Sequence, residues 1–468
     1  MPKVKNKKTV KKSETKKVLK KKTGNKKKII KKKPAVKKTV AKKKIVKKKS
    51  KPKEILNVKK PVKIIKNFYE AIVVGGGPGG SVAAMYLARN GVDTLLVEKA
   101  KFPRDKTCGD ALSGKSREVL EELQLDKKIV EVPHAITTGV LFSSPKGDSV
   151  SIPFKNDKGE IIPGFICRRE ILDNLIFQEA KKQVSTLEEF EVNSLMFENE
   201  KVVGIVGKYK GEERKIKAKV VIGADGVYST VARTAGALET NPDHICGAVR
   251  AYYKNVKGVT NDIELHFVDS VIPGYFWIFP CDNGMANVGL GIIDSEIIKK
   301  KINLARLMED VVQNHPMFKE RFKDSEQVTP IKGWKLSFGS KRRKSYGDGW
   351  ALVGDAAGLV DPFTGEGMGN AMYSGKVVAE TIAKSKQNGW NSEIMKEYET
   401  ALSNKLDAEL QQSYKMQRWG KHTWLVNYII GRASKSETVR NYIASTITTA
   451  DAKQEYFNPL FYLRLLFA

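Results

Sequence analysis

The sequence predicts an α/β protein in which a dinucleotide-binding sheet is interrupted by a second, β-rich region. Three observations carry this. Residues 69–99, "YEAIVVGGGPGGSVAAMYLARNGVDTLLVEK", read as strand, glycine turn, helix and strand. Two later stretches, 218–233 and 349–382, repeat the strand-to-turn-to-helix pattern around Asp225 and Asp355. Between them stands "PGYFWIFP" (273–280), whose rings alternate with apolar residues as they would on a strand.

The first unit justifies itself residue by residue. Ala71 to Val74 make a short buried strand, and Thr94 to Val97 a second one. Gly75, Gly77 and Gly80 form the GxGxxG pattern between them. Gly75 permits a tight turn, Gly77 lets the backbone approach a pyrophosphate, and Gly80 lets the helix pack closely on the strands. Val82, Ala83, Tyr86 and Leu87 then recur at helical spacing, so a helix start faces the phosphates. Glu98, after the second strand, is placed to accept ribose hydroxyls. A strand before the glycines, a helix after them and an acid beyond are the context that this motif needs. It does not by itself separate NAD from FAD.

The later stretches extend the pattern. "AKVVIGADGVYSTVAR" places Asp225 and Gly226 in a turn between strand and helix. "GWALVGDAAGLVDPFTGEGMGNAMYSGKVVAETI" places Asp355 at a strand end, where a carboxylate can hold a polyol hydroxyl. Its run from Pro362 to Gly367, with Gly365 and Gly367, is expected to present free backbone N–H groups at the start of a helix from about Glu366. Such a site favours negative charge, which a reduced flavin carries on its pyrimidine side.

In "PGYFWIFP", Tyr275, Trp277 and Phe279 share one face, with Phe276 and Ile278 on the other. A core strand and a cavity wall are both compatible with this pattern, and the two overlap if one face lines a tunnel while the other enters the core.

The order GGGPGG, GADG, GDA…PFTGEG resembles the single-Rossmann flavoprotein superfamily of para-hydroxybenzoate hydroxylase. "ICRREILDNLI" (166–176) fits its Arg-x-x-Leu/Phe-Asp helix. Within the superfamily, Y-x-W-x-F-P-x8-G-x-G, here ending on Gly289 and Gly291, is similar to the signature of geranylgeranyl reductases. "FPRDKTCGDALSG" (102–114) is similar to their P-x-x-x-x-C-G-x-G, with Ala111 where the pattern has its second glycine. The resemblance implies a single discontinuous Rossmann-type FAD-binding domain, a β-sheet substrate domain and a helical C-terminal region. The divisions are 67–134, 165–245 and 336–385 for the flavin domain, 135–164 and 246–335 for the substrate domain, and 386–468 for the last region, behind a tail of 1–66.

The resemblance also implies roles. Glu98 binds the adenosine ribose, Asp355 the ribityl chain, Asp225 with Gly226 lies near the pyrophosphate, Arg169 stands on the flavin side and Asp173 packs the helix. Tyr275, Trp277, Phe279, Gly289 and Gly291 form the wall of a tunnel for a prenyl chain, which has no polar handle and must be recognised by apolar shape and ring faces. The rings also suit positive charge building on a protonated alkene. The expected chemistry is hydride transfer from reduced FAD to one alkene carbon and proton delivery to the other. Tyr275, Trp277 and Cys108 are the candidate catalytic residues, Cys108 either as acid or as a residue positioning the flavin; a small buried hydrophobe is the plainer reading of that thiol. No second dinucleotide fingerprint follows, so the electron donor is either NAD(P)H binding transiently or a protein electron carrier. The rival activities are a flavin monooxygenase acting on a small aromatic or lipid substrate and a halogenase, whose W-x-W-x-I-P motif differs at two of four positions here. A non-enzymatic flavin-bound scaffold is a third reading.

Charge divides the chain sharply. Residues 1–66 hold 31 Lys and 2 Glu, so +29 of the formal +32 lies there and the rest is near neutral. The isolated Val, Ile and Leu of this segment cannot offset chain entropy, so a disordered tail is expected. A solvated arm with no dedicated partner is the plainest reading; by charge its partners are acidic proteins, an anionic membrane surface, which suits a prenyl-lipid substrate, or nucleic acid, which is less favoured because the remaining chain has no basic stripe with interleaved aromatics. Trp419, Trp424, Phe461 and Leu465 offer a bilayer-docking surface, or else a closure of the core or of an oligomer interface. No transmembrane span, secretory signal or metal site is expected. The four cysteines lack CxxC spacing, which suits a reducing, cytoplasmic setting with peripheral membrane contact.

Overall fold

A computed structural model describes residues 66–156, 158–390 and 392–448. The lysine-rich segment up to residue 65, and Phe461 and Leu465, lie outside the described residues. Two large sheets organise the rest. In the first, Phe68–Val74 lies centrally, hydrogen-bonded in parallel to Glu212–Gly223 on one side and to Thr94–Val97 on the other. Ser185–Leu187 extends the sheet beyond Thr94–Val97, and Trp350–Leu352 extends it beyond Glu212–Gly223, both parallel. Helices cover it, so the strands are near-continuous apolar runs. The antiparallel hairpin Phe190–Glu198 and Lys201–Tyr209 continues from the early part of Glu212–Gly223.

The second sheet runs Glu326–Gln327, Ile245–Lys254, Met285–Ile293, Gly274–Pro280, Asp262–His266, Gly139–Ser143, Ser149–Pro153, with Lys332–Ser337 also paired to Ile245–Lys254. Only Gly139–Ser143 with Asp262–His266 is parallel. Alternation sorts its two faces. Phe276, Ile278, Val288 and Leu290 are fully buried against Met308 and Val311 of helix Leu304–Asn314, Phe322 of helix Lys319–Phe322, and Phe318 just before it. The other face turns toward the first sheet. A small sheet of Ala111–Leu112, Gly164–Ile166 and Ala135–Thr137 is paired separately.

Strand and helix limits differ modestly from expectation. The first strand begins at Phe68 rather than Ala71, and the long helix is Met368–Gln387, starting after Gly367 rather than at Glu366. Part of the C-terminal helical region packs inward. Val426, Ile430, Ala433 and Val439 close a core against Val140, Val150 and Ile152, while Trp424 stays 67% exposed and Trp419 39%. Among the described residues no helix is long and apolar enough to cross a membrane.

Candidate active site

One cavity of about 1670 Å³ runs between the sheets. Its lining includes Gly75, Gly77, Glu98, Arg169, Asp225, Gly226, Asp355, Gly365 and Gly367, and equally Cys108, Tyr275, Trp277, Phe279 and Gly291. The expected site residues come together in one space, except Gly80 and Gly289, which act from behind its wall.

The glycine turn follows its chemistry. Gly75 has φ +107°, and a Cβ there would overlap the Ala224 carbonyl. A Cβ on Gly80 would overlap the Gly75 carbonyl, so this residue sets the helix-to-strand distance. The helix Pro78–Arg89 begins at Gly77 with no side-chain cap. A Cβ at Gly77 would have only the Arg104 guanidinium near it, at 3.6 Å, and one at Gly226 would meet nothing within 4 Å. Uncapped N–H groups, open space and an arginine fit the pyrophosphate of FAD. Glu98 is buried and accepts from the N–H of Gly76 (2.7 Å) and of Ala100 (2.9 Å), which aims its carboxylate along the turn.

Asp225 lies at the cavity wall, but its oxygens cap a helix. They accept from the Ser229 hydroxyl (2.5 Å) and from the N–H groups of Thr230 (2.7 Å) and Val231 (3.2 Å). Burial raises its pKa against those bonds. Asp355 is in the turn Gly354–Ala357, 4.0 Å from the Lys106 ammonium. Arg169 is buried and grips Asp173 with two bonds, 2.6 and 2.7 Å, while its guanidinium also lies against Cys108. Burial works against the charge of Arg169, but the Asp173 carboxylate outweighs it and raises the pKa. Asp173 also takes Arg104 at 2.7 Å; burial would raise its pKa, and the two arginines hold it below the usual range.

The Pro362–Gly367 turn corrects one expectation. Its amides are not all free: Phe363 and Thr364 N–H donate to the Asp361 carboxylate, Gly365 N–H to the Asp361 carbonyl and Glu366 N–H to the Thr364 hydroxyl. Asp361 folds the loop onto itself, an Asx-type arrangement that competes with ligand binding for the same donors. Gly365, at φ +72°, makes that fold possible. The cavity is left with the amides at the start of the helix, at Gly367 and Met368.

The aromatic strand explains its own signature. In the antiparallel pairing with Met285–Ile293, Tyr275 faces Gly291, Trp277 faces Gly289 and Phe279 faces Asn287. The interval in Y-x-W-x-F-P-x8-G-x-G is therefore a hairpin register. A Cβ on Gly289 would strike the Trp277 ring, so glycine is what lets the indole lie across the neighbouring strand. The rings follow one another at 6.1 Å (Tyr275 to Trp277) and 6.3 Å (Trp277 to Phe279). The Tyr275 hydroxyl donates to the Thr364 carbonyl at 2.5 Å, tying this strand to the flavin-side turn, and burial raises its pKa. Phe279 packs over Gly109, whose absent Cβ would sit 2.7 Å from the ring. Cys108 is half-buried, whereas Cys167, Cys246 and Cys281 are buried.

Four polar residues escaped the sequence reading. Asp110 is fully buried at φ +68°, and its Oδ2 accepts from the Tyr252 hydroxyl (2.6 Å) and from Asn287 Nδ2 (2.7 Å). Asn287, also fully buried, accepts from the Trp277 indole N–H (2.8 Å) and donates to the Cys108 carbonyl (2.7 Å). Arg250, fully buried on Ile245–Lys254, donates to Asp105 (2.8 Å) and stacks over Tyr252 at 4.2 Å. Arg104 stands by the glycine turn. Asp110 and Asn287 occupy unspecified positions of the two signatures, so only their adjacency to Cys108 and Gly289 pointed to them. Arg250 carried no signal beyond being a charge in an apolar strand.

The groove and its lining define an FAD-dependent oxidoreductase, and a family model described as an FAD binding domain matches residues 69–407. A digeranylgeranylglycerophospholipid reductase of Methanocaldococcus jannaschii is 34% identical over 348 residues, 73% of this chain and 84% of that protein. Among solved structures, a geranylgeranyl bacteriochlorophyll reductase-like protein from Thermoplasma acidophilum superposes with TM-score 0.72 at 24% identity, covering 83% of this chain and 99% of that one. The flavin-dependent brominase Bmp2 shares the fold at TM-score 0.69 and 21% identity, covering 85% and 99%. The chain belongs to the geranylgeranyl (prenyl) reductase family of FAD-dependent oxidoreductases.

Proposed function

We propose that this protein saturates alkene bonds of a geranylgeranyl or longer polyprenyl chain carried by a lipid. The observation that carries the reading is the Tyr275–Trp277–Phe279 face, its first two rings opposite Gly291 and Gly289 and its Tyr275 hydroxyl bonded to the flavin-side turn at Thr364. FAD, when reduced, supplies the hydride. The chain's own residues do the rest. Tyr275, Trp277 and Phe279 exclude water and hold the apolar chain by shape. Their ring faces suit positive charge at the carbon that receives the proton. Cys108, half-buried at the cavity wall beside Arg169, is the candidate acid or positioning group. Glu98, Arg104 and the Gly75 to Gly80 turn hold the adenosine and pyrophosphate part, and Asp355 the ribityl chain.

The activity for which the Methanocaldococcus jannaschii relative is named makes digeranylgeranylglycerophospholipid the first substrate to try. The electron donor in this reading is NAD(P)H binding transiently or a protein carrier. The lysine-rich segment and the exposed Trp424 bring the enzyme to an anionic membrane. The test is an anaerobic single turnover with chemically reduced, flavin-loaded protein and a geranylgeranyl lipid, read by mass spectrometry. Gain of two hydrogens per double bond with flavin reoxidation supports the proposal. A flavin that stays reduced with every prenyl lipid, yet oxidises rapidly in air with a phenol, replaces it with a monooxygenase.

A further inference from the structure

The two signatures are joined by groups that neither specifies. Asn287 uses its whole amide. Its Oδ1 accepts the Trp277 N–H at 2.8 Å, and its Nδ2 donates to the Cys108 carbonyl and to Asp110 Oδ2, each at 2.7 Å. The indole can only donate, so it determines which way the amide points. Asp110 is held from three sides. Tyr252 and Asn287 bond one oxygen, and the Arg169 N–H donates to the other at 3.3 Å. Asn287 and Asp110 are both fully buried, and no water competes for these bonds. Arg250 and Tyr252 also tie this loop to the substrate sheet, at Asp105 and Asp110, but the Asn287 amide is the tie that reaches the Cys108 carbonyl, and the same amide fixes the Trp277 ring.

We propose that Asn287, supported by Asp110, is a positioning residue that sets the spacing between Cys108 and the Trp277 face. This rests on the prenyl reductase reading. It adds that Cys108 and the Trp277 ring are coupled through one side chain. The bridge acts through Cys108 and Trp277 and does not itself meet the substrate. Losing it lets the cysteine loop and the indole move independently, which lowers the hydride step more than substrate binding.

The test has two readouts. The first needs neither substrate nor flavin: the rate at which iodoacetamide alkylates Cys108, read on its peptide by mass spectrometry in flavin-free and flavin-loaded protein. The other three cysteines are buried and serve as internal controls. Asn287→Leu, and Asn287→Asp, which keeps the acceptor for Trp277 but loses both donors, should raise that rate about tenfold. The second readout is the anaerobic single turnover with a geranylgeranyl lipid. Asn287→Leu should slow it about 10- to 100-fold at unchanged lipid affinity and flavin content. Trp277→Phe removes the indole N–H together with part of the ring wall, so it slows turnover by itself, and the double variant should lose less than the sum of the two single losses. Unchanged Cys108 reactivity in both Asn287 variants would overturn the bridge. So would additive losses in the double variant. If Asn287→Leu does not fold, Asn287→Asp and Trp277→Phe decide. A wild-type protein that reduces no prenyl lipid would defeat the functional reading, while the alkylation result would still stand or fall on its own.

Discussion

Asp110 shows what enclosure does to one carboxyl. Burial pushes its pKa up to about 6, against the pull of Arg250, Tyr252, Asn287 and Arg169. An acid with a raised folded pKa holds its proton more tightly in the folded state. Its contribution to stability is therefore present at low pH and is lost as pH rises from the unfolded value through about 6. A shift of about two units corresponds to about 3 kcal/mol. Asp110→Asn cannot ionise, so its unfolding free energy relative to wild type should rise by up to about 3 kcal/mol between about pH 4 and pH 7. Denaturant titrations across that range measure it, and a constant difference would mean that Asp110 titrates as an exposed acid. Gly289 makes a steric point at the same scale. Gly289→Ala places a methyl against the Trp277 ring, so the expected cost is about 1–3 kcal/mol together with a displaced indole. Thermal denaturation and single-turnover rate read both, and a variant with normal stability and rate would show that the strand shifts to make room.

At the scale of elements, the glycine turn and the aromatic strand each have two sides that separate experimentally. Gly80→Ala puts a Cβ on the Gly75 carbonyl and must push helix Pro78–Arg89 off the sheet, so the purified variant should be colourless, with its flavin absorbance lost. A yellow Gly80→Ala protein would contradict this account of the turn. On the aromatic strand, Phe276 and Tyr275 are neighbours with opposite duties. Phe276→Ala empties a fully buried site and should cost about 3–5 kcal/mol. Tyr275→Phe removes only the bond to Thr364 and should cost about 1 kcal/mol, its larger effect falling on turnover. The faces of this strand were legible in its alternation. Its partner was not, because the glycines read as spacing until the register set them opposite the rings.

At the scale of the molecule, the charge is concentrated in the first 66 residues, while the rest is near neutral. Lysines near an anionic leaflet contribute about 1 kcal/mol each, so a few of the 31 suffice for binding. Vesicles rich in anionic lipid should therefore bind the full chain at low salt and release it about tenfold or more as salt is raised toward 0.5 M. A chain beginning at residue 67 should keep its flavin and lose this salt-sensitive binding. Equal vesicle binding by both chains would rule out the lysine-rich segment as its cause and direct the test to the region of the exposed Trp424. The two large sheets divide the remaining work, with the cofactor-type turns on one and the ring face on the other, and the cavity between them.

The sequence by itself determined the local chemistry: the glycine turn with its acid, the order of the three turns, the two-faced aromatic strand and the signatures around Cys108 and Trp277. These depend on spacing along the chain, which a sequence displays directly. Only the tertiary structure decided that Asp361 takes the amides of Phe363, Thr364 and Gly365, that Asp225 caps a helix while lining the cavity, and that Asn287 joins residues 108 and 277. Each of those is a choice of hydrogen-bond partner. A buried donor or acceptor must take whatever the fold brings within reach, and that is settled by packing between segments far apart in the chain.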